Sequence, residues 1–212
     1  KQTINTILCD KAGNMWIATG KGLYFSQQGK TASLVPIREV DTAAVSTLYE
    51  DRQGNIWLGE NDQLSRITLE GSGYPYVQIR RELYRLFPQK APGEVTAIQE
   101  DLYGDLWVAH RTRGLYQLKI NSSGAPELKK KYVTPQPFCN IAENTISTIL
   151  IDRSNVLWAG TFQKGVNYAN LTIKKFFPFY PLMSDHIGEL GYKGKFVTAV
   201  CDDGQNIWVG TS

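Results

Sequence analysis

Few residues in this chain are of the types that carry metal, redox or hydrolytic chemistry. Its 212 residues include three cysteines and only two histidines, His110 and His186. The cysteines form no C-x-x-C pair, so the spacing typical of a zinc site is missing. Glycoside hydrolysis needs two carboxylates roughly 5–10 Å apart, and the acidic residues show no recognisable pairing. We therefore expect no metal, no cofactor and no catalytic residue in this chain.

Residues suited to binding a polar ligand are more common, and they lie in segments between the apolar stretches. Guanidinium groups hold carboxylates and sulfates through paired hydrogen bonds, and aromatic rings offer flat apolar surfaces. The alternative is that these arginines are solvated or held in ion pairs. The candidate ligand-binding residues are Arg80, Arg81, Tyr84, Arg85, Asn61, His110, Arg111, Arg113, Phe162 and Lys164.

An internal repeat predicts the elements that position these residues. The five tryptophans stand at positions 16, 57, 107, 158 and 208, so that neighbours are 41, 50, 51 and 50 residues apart. An aspartate lies six residues before each tryptophan, and in the last copy Asp203 is an equally good candidate as Asp202. Self-similarity at this period is the signature of propellers and other repeat arrays.

Each copy of the repeat predicts a small antiparallel sheet. A short apolar strand leads into an Asp-x-x-Gly-Asn hairpin turn, and a second strand carries the tryptophan. A third strand follows a short loop. We expect the fourth strands at Ala32–Ile37, Tyr76–Arg80, Lys129–Val133 and Lys175–Phe179, and the best helical candidate is Arg81–Phe87. The tryptophans are interpreted as packing between sheets and the aspartates as turn formers.

The fold class predicted from these sheets is an all-β propeller of four-stranded antiparallel blades. The blades are expected at about 1–41, 42–92, 93–143 and 144–194, with a half blade at 195–212, in a single partial propeller spanning 1–212. A closed ring is not expected from four and a half blades, so the chain is interpreted as a piece of a larger propeller.

Charge and the distribution of apolar residues limit the kinds of partner that we expect for this chain. The net charge of +3 comes from 23 basic and 20 acidic residues, which gives no reason to expect nucleic-acid binding. No stretch approaches the roughly 20 apolar residues of a membrane-spanning helix, and the N-terminus lacks the apolar core of a signal peptide. We expect no membrane contact by this segment.

The repeated motif, Asp-x-x-Gly-Asn-[Ile/Leu/Met]-Trp-[Ile/Leu/Val]-[Gly/Ala]-Thr-x-x-Gly-Leu, resembles the two-component-regulator propeller repeat. The first copy matches throughout, and later copies depart from the motif. Glu60 and His110 replace the threonine, Asp105 replaces the asparagine, and the fourth copy has Asn155-Val156 in place of Gly-Asn. Repeats of this kind build the periplasmic sensor regions of hybrid two-component histidine kinases.

The resemblance implies a sensor rather than an enzyme. Sensor regions of that family contain two seven-bladed propellers, an immunoglobulin-like domain, a membrane helix and cytoplasmic kinase modules, and only part of one propeller corresponds to this sequence. The implied function is detection of oligosaccharide breakdown products in the periplasm and signalling across the membrane. The implied partners are an oligosaccharide, which the arginines suggest is acidic or sulfated, the rest of the parent propeller, and a second subunit in a homodimer.

Two other classes of function stay open from the sequence. The propeller could be an interaction scaffold that holds a protein partner without a small ligand. It could also be a polysaccharide-degrading enzyme, as some propellers are. A ligand is expected on the face formed by the connections from second to third strands and from one blade to the next, because variable loops on a rigid scaffold commonly carry function. A scaffold could hold its partner on that face or on the sides of the propeller.

Overall fold

The computed structural model describes residues 3–28, 34–40, 43–70, 78–86, 93–134, 141–172, 175–179 and 197–211. These residues form four four-stranded antiparallel sheets and a two-stranded fifth sheet, with one short 3₁₀ turn at Arg38–Val40. Within each sheet the strands pair in chain order, first strand to fourth. The predicted all-β propeller arrangement is confirmed.

The strands are named in chain order. Blade 1 contains β1 (Ile4–Cys9), β2 (Met15–Thr19), β3 (Gly22–Ser26) and β4 (Val35–Pro36). Blade 2 contains β5 (Val45–Glu50), β6 (Ile56–Glu60), β7 (Gln63–Glu70) and β8 (Gln78–Tyr84). Blade 3 contains β9 (Val95–Glu100), β10 (Asp105–His110), β11 (Gly114–Ile120) and β12 (Pro126–Tyr132). Blade 4 contains β13 (Ile146–Ile151), β14 (Val156–Thr161), β15 (Val166–Asn170) and β16 (Lys175–Phe179), and blade 5 contains β17 (Val197–Asp202) and β18 (Ile207–Thr211).

The helix considered for Arg81–Phe87 was a wrong prediction over the part that can be checked. Residues 81–84 continue strand β8, where Arg81 pairs with Ile67 and Tyr84 with Leu64 of β7. A helix of two turns is marginal in isolation, whereas strand pairing satisfies the backbone and supplies ion-pair partners across the sheet. Phe87 lies outside the described residues.

The repeated aspartate does more than form the turn. In blade 1, Asp10 Oδ1 accepts the Asn14 backbone N–H at 2.8 Å, and its Oδ2 accepts the Trp16 indole N–H at 2.9 Å. All five copies make the indole bond, at 2.7–2.9 Å, and in blade 5 the acceptor is Asp203 rather than Asp202. One carboxylate therefore fixes both the hairpin and the orientation of the tryptophan that follows it.

Three of the tryptophans, Trp16, Trp57 and Trp107, pack between neighbouring blades, as predicted. Trp16 belongs to a buried cluster that includes Val45 and Leu48 of blade 2. Trp57 lies in a cluster with Val95 and Ile98 of blade 3. Each buried indole also meets an aromatic side chain of its own blade, such as Phe25 or Tyr132, with ring centroids 4.7 and 5.3 Å apart.

Small residues on the second strands allow the next blade to pack closely against them. A Cβ added at Gly59 would lie 2.7 Å from the Val95 Cβ, and one added at Gly160 would lie 2.5 Å from Val197 Cγ1. Such distances leave no room for a side chain. The glycines therefore let the first strand of the following blade approach closely.

A row of side-chain hydrogen bonds joins the first strands of successive blades. The second residue of each strand bonds the carbonyl of the first residue in the next blade's first strand, 40–50 positions later in the chain. The pairs are Asn5–Val45 at 2.8 Å, Ser46–Val95 at 2.6 Å, Thr96–Ile146 at 2.9 Å and Ser147–Val197 at 2.5 Å. The sequence signal for this row of bonds is a polar residue at the second position of each of these first strands.

Candidate functional site

The loop face is defined here as the end of the blades where second strands turn into third strands and where one blade connects to the next. Backbone hydrogen bonds hold its two kinds of connection together. Arg111 N–H donates to the Glu94 carbonyl at 2.9 Å, and Phe162 N–H donates to the Thr145 carbonyl at 3.0 Å. Val95 N–H reaches the Asn61 carbonyl of the preceding blade at 2.7 Å. These bonds give the loop face a fixed backbone frame.

Asn61 takes a backbone conformation that few residues other than glycine tolerate. Its φ is +51°, and its side chain is exposed. Asparagine enters this left-handed region more easily than most residues. Because Asn61 lies between β6 and β7, it is on the loop face, as predicted, at the boundary between blades 2 and 3.

His110 supports the loop face from inside. The residue is 0% exposed, and its Nδ1 accepts the Thr112 backbone N–H at 3.1 Å. In blades 1 and 4 the equivalent threonines accept the same kind of turn N–H, Thr19 from Lys21 at 3.2 Å and Thr161 from Lys164 at 3.1 Å. The histidine therefore replaces the motif threonine in function as well as in position.

The surroundings of His110 keep the imidazole neutral. Burial lowers its pKa to about 4, and the nearby Arg113 charge acts in the same direction. Asp62 and Glu94 oppose that effect, and Arg111 adds to it. A neutral Nδ1 is needed to accept the Thr112 N–H.

Arg111 is already paired with a carboxylate. Its Nε donates to Glu94 Oε1 at 3.0 Å, and its Nη2 forms an ion pair with the same oxygen. Both side chains are partly exposed, so the pair presents donors and acceptors to solvent together. Such an arrangement suits the hydroxyl groups of a polar ligand, which both donate and accept hydrogen bonds.

Two further candidates lie one blade away on the same face. Phe162 is 39% exposed and follows strand β14, and Lys164 is exposed in the same turn. The neighbouring Gln163 backbone N–H donates to Glu143 Oε2 at 2.8 Å, which fixes the turn. Phe162 therefore offers an aromatic surface on the loop face of blade 4.

Arg80, Arg81 and Tyr84 lie elsewhere. The sequence analysis placed them in an inter-blade loop, but they belong to β8, the outer strand of blade 2. The reason is the extended pairing of β8 with β7, described above. Arg85 follows directly after this strand and is exposed. The ten candidates therefore divide between the loop face and the outer edge of one blade.

The β8 residues are engaged in ion pairs. Arg81 Nη2 pairs with the buried Glu60, and its Nη1 donates to the Glu39 carbonyl at 2.5 Å. Arg80 Nη2 lies 3.0 Å from Glu82 Oε1. These contacts correspond to the alternative, left open by the sequence, that the arginines are held in ion pairs.

Tyr84 belongs to the same network. Its hydroxyl donates to Glu82 Oε2 at 2.6 Å, and Arg66 also pairs with Glu82. Burial and the Glu82 hydrogen bond raise the pKa of Tyr84 to about 12. The hydrogen bond from Tyr84, followed by that from Arg66, lowers the pKa of Glu82. The network holds the outer edge of blade 2.

His186, the second histidine of the sequence, lies outside the described residues. Within the described part of the chain, no group of three or more His, Cys, Asp or Glu side chains is arranged to hold a metal ion. The same residues contain no helix with the length and apolar character needed to cross a membrane.

Comparison with known proteins confirms the resemblance found in the sequence. The two-component regulator propeller family model matches residues 1–21 and 40–62. These two ranges contain the first two copies of the motif, each with its tryptophan. No curated protein sequence matches this chain.

Solved structures share the fold at low sequence identity. The extracellular domain of a hybrid two-component system from B. thetaiotaomicron is 20% identical, with a TM-score of 0.65 over 99% of this chain and 25% of its own length. PorZ, a surface component of the type-IX secretion system of Porphyromonas gingivalis, is 14% identical, with a TM-score of 0.73 over 99% of this chain and 31% of its own. Virginiamycin B lyase from Staphylococcus aureus is 18% identical, with a TM-score of 0.62 over 86% of this chain and 57% of its own. The chain spans only 21% and 25% of the lengths of two such extracellular domains from B. thetaiotaomicron, one described as a one-component system and the other as a hybrid two-component system.

Proposed function

We propose, from the two-component regulator propeller repeats at residues 1–21 and 40–62, that this chain is part of the ligand-sensing propeller of a hybrid two-component system. The proposed location is the periplasm, and the proposed ligand is an oligosaccharide breakdown product whose binding is signalled across the membrane to a histidine kinase. A homodimeric parent and contacts with the rest of its propeller belong to the same proposal.

The observation that carries the proposal is the family match at these two motifs. The structural likenesses are too distant in sequence to add a function, but the two-component extracellular domain has the same arrangement of blades. The chain itself would perform no catalysis, and any kinase activity would lie in other domains of the parent.

The loop face is the proposed binding surface. Polar and charged side chains of blades 2 and 3 meet there around a buried histidine, and Phe162 adds an aromatic surface on blade 4. Arg111 with Glu94 can bind the hydroxyl groups of a sugar, and an aromatic ring can stack on its apolar face. Arg80, Arg81 and Tyr84, on the outer strand of blade 2, support that blade through ion pairs.

The test is calorimetric titration of the intact sensor region with a library of oligosaccharide fragments. Binding without product formation is expected, and Arg111→Ala should weaken it at least about tenfold by removing charge-assisted hydrogen bonds. Arg52→Ala, on the opposite end of the blades, is the control and should bind normally.

Other outcomes would replace the proposal. Conversion of a fragment into product would favour the alternative of a polysaccharide-degrading enzyme. Absence of binding to every fragment would favour the interaction scaffold.

A further inference from the structure

We infer that β12, the outer strand of blade 3, is a docking edge for an extended acidic polypeptide segment, which adds to the sheet as a fifth strand. This inference is independent of the proposed loop-face ligand. It concerns the side of the molecule, and it rests on an open strand edge combined with an unusual arrangement of lysines.

The edge of β12 is long and accessible. The strand has seven residues, Pro126–Tyr132, and it is the outermost strand of its sheet, with only β11 paired to it among the described residues. Its pairing with β11 shifts at Lys129, so the regular edge that carries the inference is Lys130–Tyr132. The five residues from Glu127 to Lys131 are all exposed. An outer strand of this kind presents unpaired N–H and C=O groups to an incoming chain.

Two consecutive lysines lie on opposite faces of this edge. Lys130 Nζ lies 4.8 Å from the centre of the Tyr132 ring, and Lys131 Nζ lies 5.4 Å from the centre of the Tyr116 ring. Both rings are buried, and cation–π contact holds each ammonium near a defined position. The sheet edge is therefore flanked by one positive charge on each side.

These two charges are not neutralised within the described part of the chain. Lys129 pairs with the buried Asp105, but no ion pair to Lys130 or Lys131 is present among the described residues. The outer strand of blade 2 provides a contrast, because Arg80 and Arg81 both have carboxylate partners. Positive charge is thus left available at one outer edge and compensated at the other.

An acidic strand complements this geometry. Successive side chains of a strand point to opposite faces, so two adjacent glutamates on a pairing strand would face Lys130 and Lys131. Opposite charges directly across a strand pair are stabilising. A second copy of β12 would place lysine opposite lysine, which is destabilising, so the same residues disfavour self-pairing.

The test uses synthetic peptides and the full chain. The probe is the capped peptide Thr-Val-Thr-Glu-Glu-Thr-Val with a fluorescent label, and binding is measured by anisotropy. Lys130→Glu combined with Lys131→Glu should weaken binding about tenfold, because two attractive pairs become repulsive. The peptide with Lys-Lys in place of Glu-Glu should show the opposite preference and bind the double variant better than the original chain.

Three controls decide between strand addition and simple charge attraction. Lys11→Glu with Lys21→Glu makes the same charge change on blade 1 and should leave binding unaltered. The acidic peptide with every backbone nitrogen methylated has no N–H donor on either edge, so it cannot form the ladder and should not bind. If the methylated peptide or dextran sulfate competes as well as the original peptide, or if the blade 1 variant loses as much affinity, the inference is overturned. Absence of binding by the unmethylated acidic peptide also overturns it.

Discussion

Adjacent arginines on β8 illustrate how the same residue type plays two roles. Arg81 reaches inward to Glu60, whose side chain is buried, while the side chain of Arg80 is 65% exposed and pairs with Glu82 among the described residues. A mostly buried carboxylate left without its partner is costly, whereas an exposed pair contributes little. The sequence alone does not distinguish them, because the difference depends on which face of the strand each one occupies.

We predict that Arg81→Ala lowers the free energy of unfolding by about 2–4 kcal/mol, since it leaves the Glu60 charge uncompensated. Arg80→Ala, its neighbour, should cost less than about 1 kcal/mol. Urea denaturation of both variants measures the difference. Equal stability losses would show that the ion pair with Glu60 is not what holds this strand.

His110 makes the stability of the folded chain depend on pH. Its pKa in the folded chain is about 4, below the ordinary value of 6.5. The unfolded chain therefore takes up a proton first as the pH falls, so the stability present above pH 6.5 is lost progressively towards pH 4. The loss assigned to this group is about 1–3 kcal/mol.

The measurement is the difference in unfolding free energy between the original chain and His110→Thr at several pH values. The variant restores the residue found in blades 1 and 4 and removes the titrating group. We expect the original chain to lose stability relative to the variant between pH 6.5 and pH 4. A difference that stays constant over this range would contradict the assignment.

Among the elements, the interface between blades depends on close contact at the second strand. The structure identifies what approaches the small residues of the second strands: Val95 lies opposite Gly59 and Val197 opposite Gly160. The tryptophan spacing fixed the number and order of the sheets in the same way. Such features were predictable because they recur in every copy.

Features confined to one blade were less predictable. The extent of β8 and the partners of its arginines depend on contacts between residues 16–42 positions apart, which no local pattern encodes. The same applies to the candidate site. Asn61, Arg111, Phe162 and Lys164 were correctly placed on the loop face by their position in the repeat, but the burial of His110 follows from side-chain packing.

We predict that Gly59→Ala destabilises the chain by about 1–3 kcal/mol, because its Cβ would overlap Val95 at the boundary of blades 2 and 3. Gly20→Ala is the control, since a Cβ there meets no atom within 4 Å. Combining Gly59→Ala with Thr47→Ser, which removes the Thr47 Cγ2 that would lie 2.7 Å from the new methyl group, should recover part of the loss. Thermal and urea denaturation provide the comparison, and a single variant as stable as the original would mean that the interface can shift to accept the methyl group.

At the scale of the whole molecule, the blades are not equally enclosed. Trp107 in blade 3 is 1% exposed, whereas Trp208 in blade 5 is 61% exposed although it keeps its bond to Asp203. In repeat arrays each unit is stabilised mainly by its neighbours. Local opening should therefore be easiest in the sheet whose faces are least covered.

We predict that amide hydrogen exchange in this chain is fastest in β17 and β18 and slowest in β9, β10 and β11. The hairpins themselves are similar, since Asp101 and Asp203 both bond the following indole. The difference must then come from packing between blades rather than from the turn. Mass spectrometry of peptides covering blades 3 and 5 measures it directly. Equal protection of the two sheets would show that the hairpin, and not the stacking of blades, sets local stability.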